Sequence, residues 1–554
     1  MNYYKVLGFL IFSFFVNISY GQITVEVKQN SLGKLSNDLI QISNSAFLNN
    51  KYLKSAGRFK IILSIESNKT GISSKGDGFS ILAQGSNTLL ISGSNNNGVQ
   101  NGVYFFLEKF LGVYFLLPGD VWVEFTKPEL ELNSKEIKIV EQPKFLMRYL
   151  SPMDPNKSND YGNFANRNRL NYIIDYRHNL YNLFDSGDTQ SFTPIVKGKK
   201  AIRNGSSDQR WQPRFFQKGI VEYSANKIIK YFKSSPNATT FSLSINDSQN
   251  FDDNTKSEGI NFLGMKSYSN EYYSWVNSTI NLVNKNIGDG KLFGVLAYNN
   301  VITPPSFKLP NNVVPFITYE RFRWLKPDQR KFDLNNLNNW LKVSNNIGWY
   351  DYVYGINYLA PRSYFDLIST TLKEGNKLGV KYYVAELYPN SLEGPKAWIM
   401  SKLLWNPNQN TDQLLKEWCE MAVGKNSSLD LYNFYKLWES YWTNIAINSD
   451  WYRNDAVYQR FNDQSYTKSI PLNYLVQSNN LLNSVLNKAE NDIYKKRATE
   501  ILKIWEISEL SIQYFKDGSK NSKTKQKILD LLEKLPENQM NTEYKIFFKK
   551  HTKL

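Results

Sequence analysis

Apolar residues near the start of the chain follow two periods, first that of strands and then that of a helix. Residues 78–84 and 87–93 have the composition of two hairpin strands. In the stretch that follows, Gly98 and Gly102 indicate a glycine turn, and Gly112 is the expected C-terminal glycine of a short helix. The apolar face of this helix comprises Val103, Phe106, Leu107, Phe110 and Leu111.

Two further strand-like runs, residues 23–28 and 59–65, flank a segment over 37–53 that can form a helix. An extended run over 121–125 follows the hairpin and its helix. Together these elements predict an open α/β accessory domain over residues 22–140.

From residue 145 onward, short apolar runs alternate with amphipathic stretches such as 219–232, 272–285 and 364–375. Repeated strand-then-helix order implies parallel strands, so we predict an α/β fold with a (β/α)8, TIM-type barrel over residues 141–408. In such barrels the chemistry lies at the carboxyl ends of the strands. The strand-like runs are 145–150, 179–184, 240–247, 292–298, 313–320, 349–355 and 380–388.

Beyond residue 408 the pattern becomes helical. Apolar residues recur with a 3.6-residue period from Leu475 to Ile493, and the period continues through Ile501 and Trp505. We therefore predict a helical C-terminal region over residues 409–554.

The first 21 residues combine an early lysine, an apolar run over 6–16 and small residues before Gln22, which is typical of a cleaved secretory signal peptide. No cysteine stands near the cleavage site, and no later stretch is long and apolar enough for a membrane span. We expect a periplasmic or secreted protein.

Composition narrows the possible chemistry. Cys419 is the single cysteine and there are two histidines, which argues against an intramolecular disulfide and against a thiolate or histidine metal centre, so no cofactor is expected. The net charge of +17 comes from lysines dispersed among asparagines, without a nucleic-acid-binding signature, so no nucleic-acid partner is expected. The oligomeric state is left open.

Two carboxylates are the candidate catalytic groups. Asp247 follows a strand-like run and begins a polar loop, and the adjacent Asn246 is an amide that could orient a 2-acetamido group beside an acid. Glu386 stands at the end of a buried strand within the run over 380–388, next to Tyr388, and these apolar surroundings would raise its pKa and suit a general acid. The alternatives are a loop or helix-capping role for Asp247, and a structural ion pair of Glu386 with Arg148 or Arg362.

His178 is predicted to begin a barrel strand and to contact a sugar hydroxyl, with a buried structural histidine as the alternative. Tyrosine, tryptophan and acidic side chains at other strand ends could form a sugar-stacking wall with polar anchors, although core packing is an equal alternative for any one of them. The candidate substrate-binding residues are Arg148, His178, Tyr298, Glu320, Trp324, Asp351, Tyr354 and Tyr388.

The strand-strand-helix unit around residues 78–119 resembles the accessory N-terminal domain that precedes the catalytic barrel in alpha-glucuronidases and beta-hexosaminidases. From residue 142 to about 442 the chain resembles the domain-of-unknown-function 4838 family, part of which is classified as glycoside hydrolase family 163. The matching pieces are 165–171, 177–181, 244–247, 295–298, 309–314, 386–389 and 402–407.

This resemblance implies an endo-beta-N-acetylglucosaminidase acting on a GlcNAc-containing glycan by substrate-assisted retention. Residues 193–203 are shorter than the family's usual loop and match it less well, which bears on substrate identity. The alternatives are an inverting exo-glycosidase similar to alpha-glucuronidase, and a glycan-binding protein without catalysis.

Overall fold

The computed structural model describes residues 23–53, 58–66, 76–85, 87–132, 136–184, 187–201, 205, 207–355, 358–454, 457–535, 545–546 and 548–550. The predicted signal peptide, residues 1–21, lies outside the described residues. The chain forms two compact units, the first up to residue 114 with 124–143, the second comprising 115–123 and 144–554.

The elements up to residue 141 are β1 (Ile23–Val27), α1 (Gly33–Asn49), β2 (Phe59–Ile65), β3 (Phe79–Ala83), β4 (Thr88–Gly93), α2 (Asn96–Leu111), β5 (Val113–Phe115), β6 (Val123–Phe125) and β7 (Lys138–Glu141). In the first unit one sheet has the order β1-β2-β4-β3-β7. The predicted hairpin is confirmed, because β3 pairs antiparallel with β4. The predicted helix is confirmed as α2, and it ends at Gly112 with a φ of 65°.

The predicted glycine turn is wrong, because Gly98 and Gly102 lie inside α2. The Asn95 side chain caps this helix by accepting a hydrogen bond from the Gly98 backbone N–H. A Cβ atom on Gly98 would lie 2.4 Å from the Gly78 carbonyl oxygen, and one on Gly102 would lie 2.6 Å from the Ile91 side chain. The glycines therefore allow α2 to pack closely on the sheet, where a side chain would collide.

The later elements are β8 (Met147–Ser151), α3 (Asp160–Arg167), α4 (Leu180–Leu183), β9 (Ile195–Val196), β10 (Lys199–Lys200), α5 (Ile220–Ser234), β11 (Thr240–Ser242), α6 (Ser269–Ile287), β12 (Leu292–Ala297), β13 (Val313–Thr318), α7 (Pro327–Val343), β14 (Ile347–Tyr352), α8 (Phe365–Lys377), β15 (Val380–Glu386), α9 (Gly394–Trp405), α10 (Thr411–Val423), α11 (Lys425–Ser440), α12 (Leu472–Lys488), α13 (Asp492–Lys516) and α14 (Ser522–Glu533). The three predicted amphipathic helices are present as α5, α6 and α8. The predicted helical C-terminal region is confirmed by α10 to α14.

Six parallel strands form the barrel sheet in the order β11-β12-β13-β14-β15-β8. Residues 171–178 connect its two edges through isolated bridges, one from Asn171 to Arg148 on β8 and one from His178 to Ser244 beyond β11. This arrangement confirms the predicted α/β class with a TIM-type barrel, an N-terminal α/β domain and a helical C-terminal region.

One predicted barrel strand is wrong. Residues 179–184 contain the helix α4 instead, because the buried apolar residues are Leu180, Leu183 and Phe184, which have helical spacing. The irregular stretch 171–178 occupies the strand position. His178 is therefore at the carboxyl end of this barrel segment and not at its start.

The inside of the barrel is packed with large apolar and aromatic side chains from alternate positions of its strands. The ring of Tyr176 contacts that of Phe316, with 5.1 Å between the ring centroids. Because alternate residues face inward, the last inward position of each strand opens onto the carboxyl end of the barrel. The buried cluster comprises Met147, Ile174, Tyr176, Leu296, Val314, Phe316, Tyr382 and Val384.

Between α11 and α12 the chain returns to the mouth of the barrel. The Val457 carbonyl oxygen accepts a hydrogen bond of 3.0 Å from the Glu320 backbone N–H, just beyond β13. We call residues 457–461 the strap. Within the described part of the chain, no helix has the length and apolar character needed to cross a membrane.

Candidate active site

A cavity of about 230 Å³ opens at the carboxyl end of the barrel. Its walls come from the ends of the barrel strands, from the loops that follow them and from the strap. The lining residues are His178, Asp247, Leu296, Tyr298, Thr318, Tyr350, Tyr352, Tyr354, Glu386, Tyr388, Tyr458 and Phe461.

Strand alternation explains how most of these side chains reach the cavity. On β15, Tyr382 and Val384 belong to the barrel interior, so Glu386, two residues further, faces the mouth. On β14, Tyr350 and Tyr352 occupy the corresponding positions. Two carboxyl groups, Glu386 and Asp247, therefore share one cavity at the end of the barrel where such folds hold their chemistry.

Glu386 is held by a group of tyrosine hydroxyls. Tyr350 and Tyr354 each donate a hydrogen bond to its carboxylate, the latter at 2.9 Å, and Tyr388 interacts with the same group. Burial raises the pKa of Glu386, the hydroxyl donors oppose this increase, and the nearby Asp247 carboxylate adds to it. The net direction is upward, which favours a protonated carboxyl group able to act as a general acid.

Asp247 lines the same cavity and is exposed to solvent. The Tyr298 hydroxyl approaches its carboxylate at 3.4 Å, and its backbone N–H donates to the Gln209 side chain. Burial and the charge of Asp247 both raise the pKa of Tyr298, so this hydroxyl keeps its proton and serves as a donor.

The two carboxyl groups therefore occupy different environments. One is enclosed by hydroxyl groups and the other is open to solvent, which is how two carboxyl groups of one site acquire separate roles.

His178 is placed in the cavity by a hydrogen bond of 2.5 Å between its Nδ1 atom and the Ile245 carbonyl oxygen. Since a carbonyl can only accept, Nδ1 carries the hydrogen and Nε2 is the ring nitrogen left for a ligand. The imidazole ring lies 6.1 Å from the ring of Tyr298, measured between centroids.

An aromatic wall closes the side of the cavity next to Glu386. The Tyr354 and Tyr388 rings lie parallel, with an interplanar angle of 9° and 6.1 Å between centroids. Tyr388 has a φ of 48°, in the left-handed region that side chains rarely adopt, and its backbone N–H donates to the Ser151 carbonyl oxygen. Strained backbone of this kind concentrates at functional sites, and here it accompanies a ring that lines the cavity.

Three predicted substrate-binding residues do not line the cavity because they lie on the other face of the strands or beyond it. Arg148 is fully buried on β8 and donates to the Arg169 and Phe145 carbonyl oxygens. The carboxylate of Asp351 accepts hydrogen bonds from the Arg321 backbone and the Tyr383 hydroxyl. The indole of Trp324 donates to Asp333.

Two further predicted site residues do not line the cavity and instead anchor neighbouring segments of the chain. Glu320 is buried and forms an ion pair with Arg362. Asn246 is also buried: its side chain accepts from the Tyr181 backbone and donates to the Trp211 carbonyl oxygen, both at 2.8 Å. Because all its polar atoms are engaged, Asn246 fixes the backbone next to Asp247 and does not present its amide to a ligand.

The structure adds six lining residues that the sequence prediction missed. Tyr350 and Tyr352 flank the predicted Asp351 on β14, so their side chains point to the opposite face of the sheet from Asp351 and reach the cavity. Tyr458 and Phe461 lie far along the chain and carry no local signal. The six are Leu296, Thr318, Tyr350, Tyr352, Tyr458 and Phe461.

Of the described residues that line the cavity, none is lysine or arginine. Within the described ranges, no group of three His, Cys, Asp or Glu side chains is arranged to hold a metal ion. The cavity is thus acidic, rich in hydroxyl groups and aromatic.

These features define a TIM-type barrel protein with two carboxyl groups in an aromatic cavity. Residues 121–436 match the family model described as Domain of unknown function (DUF4838). Since the match covers more than half of the chain, the protein belongs to this family. A comparison with curated protein sequences gave no match.

Solved structures share the fold at low sequence identity. One is described as a family 115 4-O-methyl-alpha-glucuronidase with specificity for decorated arabinogalactans; its TM-score is 0.52 at 11% identity, with 91% of this chain and 76% of that chain covered. Another is a family 89 glycoside hydrolase from Clostridium perfringens in complex with 2-acetamido-1,2-dideoxynojirmycin, with a TM-score of 0.52 at 11% identity over 90% of this chain.

The present chain spans 64% of that family 89 chain. A further structure of the Clostridium perfringens enzyme, in complex with its substrate GlcNAc-alpha-1,4-galactose, has a TM-score of 0.51 at 11% identity and covers 91% of this chain and 65% of that one.

Proposed function

We propose that the protein is a glycoside hydrolase. The observation that carries this proposal is the pairing of Asp247 and Glu386 in one cavity at the carboxyl end of the barrel, since cleavage of a glycosidic bond requires two such groups. The fold similarity to structures named as glycoside hydrolases supports it by analogy.

As the finer proposal, the substrate is a GlcNAc-containing glycan, cleaved internally with retention of configuration. The family 89 structure that shares the fold is described with a GlcNAc-terminated disaccharide as its substrate. Exposed Asp247 and the Tyr298 hydroxyl beside it are suited to bind an acetamido group, because a carboxylate accepts from its N–H and a hydroxyl donates to its carbonyl.

In the proposed mechanism Glu386 donates its proton to the glycosidic oxygen as the bond from that oxygen to the anomeric carbon breaks. The acetamido carbonyl oxygen attacks the same carbon and forms a cyclic intermediate, while Asp247 accepts a hydrogen bond from the acetamido N–H. The ionised Glu386 then removes a proton from a water molecule, which opens the ring and restores the acid.

An inverting alpha-glucuronidase-like activity is the rival within the same class. A uronic acid would bring a third carboxylate beside Asp247 and Glu386, and none of the described lining residues is a lysine or arginine that could neutralise it. The acidic cavity therefore favours a neutral sugar. A binding protein without catalysis is the rival outside this class, and the enclosed environment of Glu386 argues against it, because binding alone does not need a buried acid.

The test is a panel of free N-glycans and β-linked GlcNAc oligosaccharides, with product masses and ¹H NMR of the product formed first. The proposal expects internal cleavage and a β anomer. An α anomer from a β-linked substrate would support the inverting rival, whereas binding without any cleavage would support a binding protein. We also propose that the protein acts in the periplasm or outside the cell, which secretion of the full chain from a bacterial host would test.

A further inference from the structure

The strap brings two aromatic rings to the cavity from a part of the chain beyond the family match. That match ends at residue 436, whereas Tyr458 and Phe461 lie in the strap and line the cavity. These two rings therefore belong to the cavity but lie outside the matched segment.

The strap is held firmly by buried groups. The Gln459 backbone N–H donates to the Glu320 carboxylate at 2.5 Å, and the other carboxylate oxygen pairs with Arg362. The Gln459 side chain makes two hydrogen bonds to the Arg453 backbone, at 2.7 and 2.8 Å. Val457 and Gln459 are buried, whereas Tyr458 and Phe461 remain half-exposed at the cavity.

The two half-exposed rings lie nearly parallel to each other at the cavity. Their planes differ by 14°, with 6.0 Å between the centroids. Tyr458 lies against Tyr352 at 4.6 Å, and Phe461 meets the ring of Tyr354 edge-on at 4.7 Å. Because the Tyr354 hydroxyl bonds to Glu386, Phe461 stands one aromatic ring away from the catalytic carboxyl group.

We infer that Tyr458 and Phe461 form a stacking platform for a second sugar ring, linked to the one whose glycosidic bond faces Glu386. Flat apolar faces of pyranose rings pack on aromatic rings, and a rigid aromatic pair presents such a surface without loss of side-chain entropy. This inference rests on the proposed function and makes its substrate class more specific: an oligosaccharide that occupies at least two adjacent subsites.

The platform is tested by binding, separately from hydrolysis. In a Glu386→Gln background, which should slow turnover of unactivated glycans at least about 10²-fold, calorimetry would measure the Kd values of GlcNAc, N,N′-diacetylchitobiose and N,N′,N″-triacetylchitotriose. We expect the disaccharide to bind about tenfold more tightly than the monosaccharide, equivalent to about 1.4 kcal/mol. Phe461→Ala and Tyr458→Ala should reduce that ratio towards one while leaving the Kd of GlcNAc within about twofold.

Two further variants distinguish stacking from general packing. Phe461→Trp should keep or increase the ratio, whereas Phe461→Leu, which retains apolar bulk without a flat face, should lose it. Phe332→Ala removes an exposed phenylalanine from α7 and is the matched control, expected to change nothing.

A ratio that Phe461→Ala and Tyr458→Ala leave unchanged, or no measurable binding of any of the three saccharides, would overturn the platform. A wild-type protein that cleaves no glycan while the ratio behaves as expected would overturn the proposed hydrolase and leave the platform standing.

Discussion

Removal of the Tyr354 hydroxyl should shift the pH dependence of catalysis in a predictable direction. This hydroxyl donates a 2.9 Å hydrogen bond to Glu386 and so opposes the increase in the pKa of Glu386 that burial causes. Hydrogen bonds to charged groups contribute about 1.5–3 kcal/mol, and about 1.36 kcal/mol corresponds to one pH unit. Because Tyr350 still donates to the same carboxylate in Tyr354→Phe, we expect the lower end of that range.

The sign follows from the role of Glu386. A general acid is active while protonated, so activity falls as the pH rises through the pKa of Glu386. In Tyr354→Phe that pKa rises further, and the alkaline limb of the kcat/KM profile should move upward by about one pH unit. The assay is cleavage of a β-linked GlcNAc oligosaccharide between pH 4 and 9.

Tyr432→Phe is the matched control, since it removes a tyrosine–carboxylate hydrogen bond of 2.6 Å to Asp412, outside the cavity, and should leave the profile unchanged. An alkaline limb that stays in place or moves downward in Tyr354→Phe would refute the assignment of Glu386 as the acid.

Three further outcomes follow from the packing around the site and in the first unit. Glu320→Gln leaves Arg362 buried without its charged partner and should lower the free energy of unfolding by about 3–5 kcal/mol in urea denaturation. Its control, Glu374→Gln at the more exposed pair with Arg330, should change the free energy of unfolding by less than about 1 kcal/mol. Equal effects of the two substitutions would contradict this reasoning. Asn246→Ala should lower the free energy of unfolding by about 1–3 kcal/mol. It should also lower turnover, because it frees the backbone next to Asp247. Full turnover would show that the hydrogen bonds of Asn246 are dispensable for catalysis. Gly102→Ala should destabilise the protein by about 1–3 kcal/mol by forcing a methyl group against Ile91, while Gly33→Ala, with open space around it, should not; calorimetric melting temperatures compare the two.

The periodic pattern of apolar residues predicted the architecture well because it reflects which face of each helix or strand is buried. The barrel strands at β12, β13 and β15 and the helices α5, α6 and α8 each have apolar residues at the spacing of their element. The strand prediction over residues 179–184 was wrong because a short run of mixed apolar and polar residues fits both the strand period and the helix period. The predicted glycine turn at Gly98 and Gly102 was wrong because these glycines allow α2 to pack closely on the sheet. That role depends on neighbouring residues that the local sequence does not reveal.

The site was predicted in part for a related reason. Asp247 and Glu386 were predicted because an acidic residue after an apolar strand stands out in the sequence, and both line the cavity. Asp351 and Arg148 were chosen by chemical type, although they lie on the strand face opposite to the cavity. Tyr458 and Phe461 could not be predicted, since only the long-range anchoring of the strap to Glu320 brings them to the barrel.

The most direct test of the central claim compares two leaving groups in Glu386→Gln. A 2,4-dinitrophenyl glycoside of chitobiose needs no proton to leave, whereas the natural glycosidic oxygen does. The account predicts that Glu386→Gln loses at least about 10²-fold in kcat/KM on the unactivated glycan but keeps most of its kcat/KM on the dinitrophenyl glycoside, because kcat/KM reports the first step, before Glu386 is needed as a base. Asp247→Asn should lose activity on both, and Asp289→Asn, an exposed control before β12 at the amino end of the barrel strands, on neither. Undiminished cleavage of the unactivated glycan by Glu386→Gln would contradict the account.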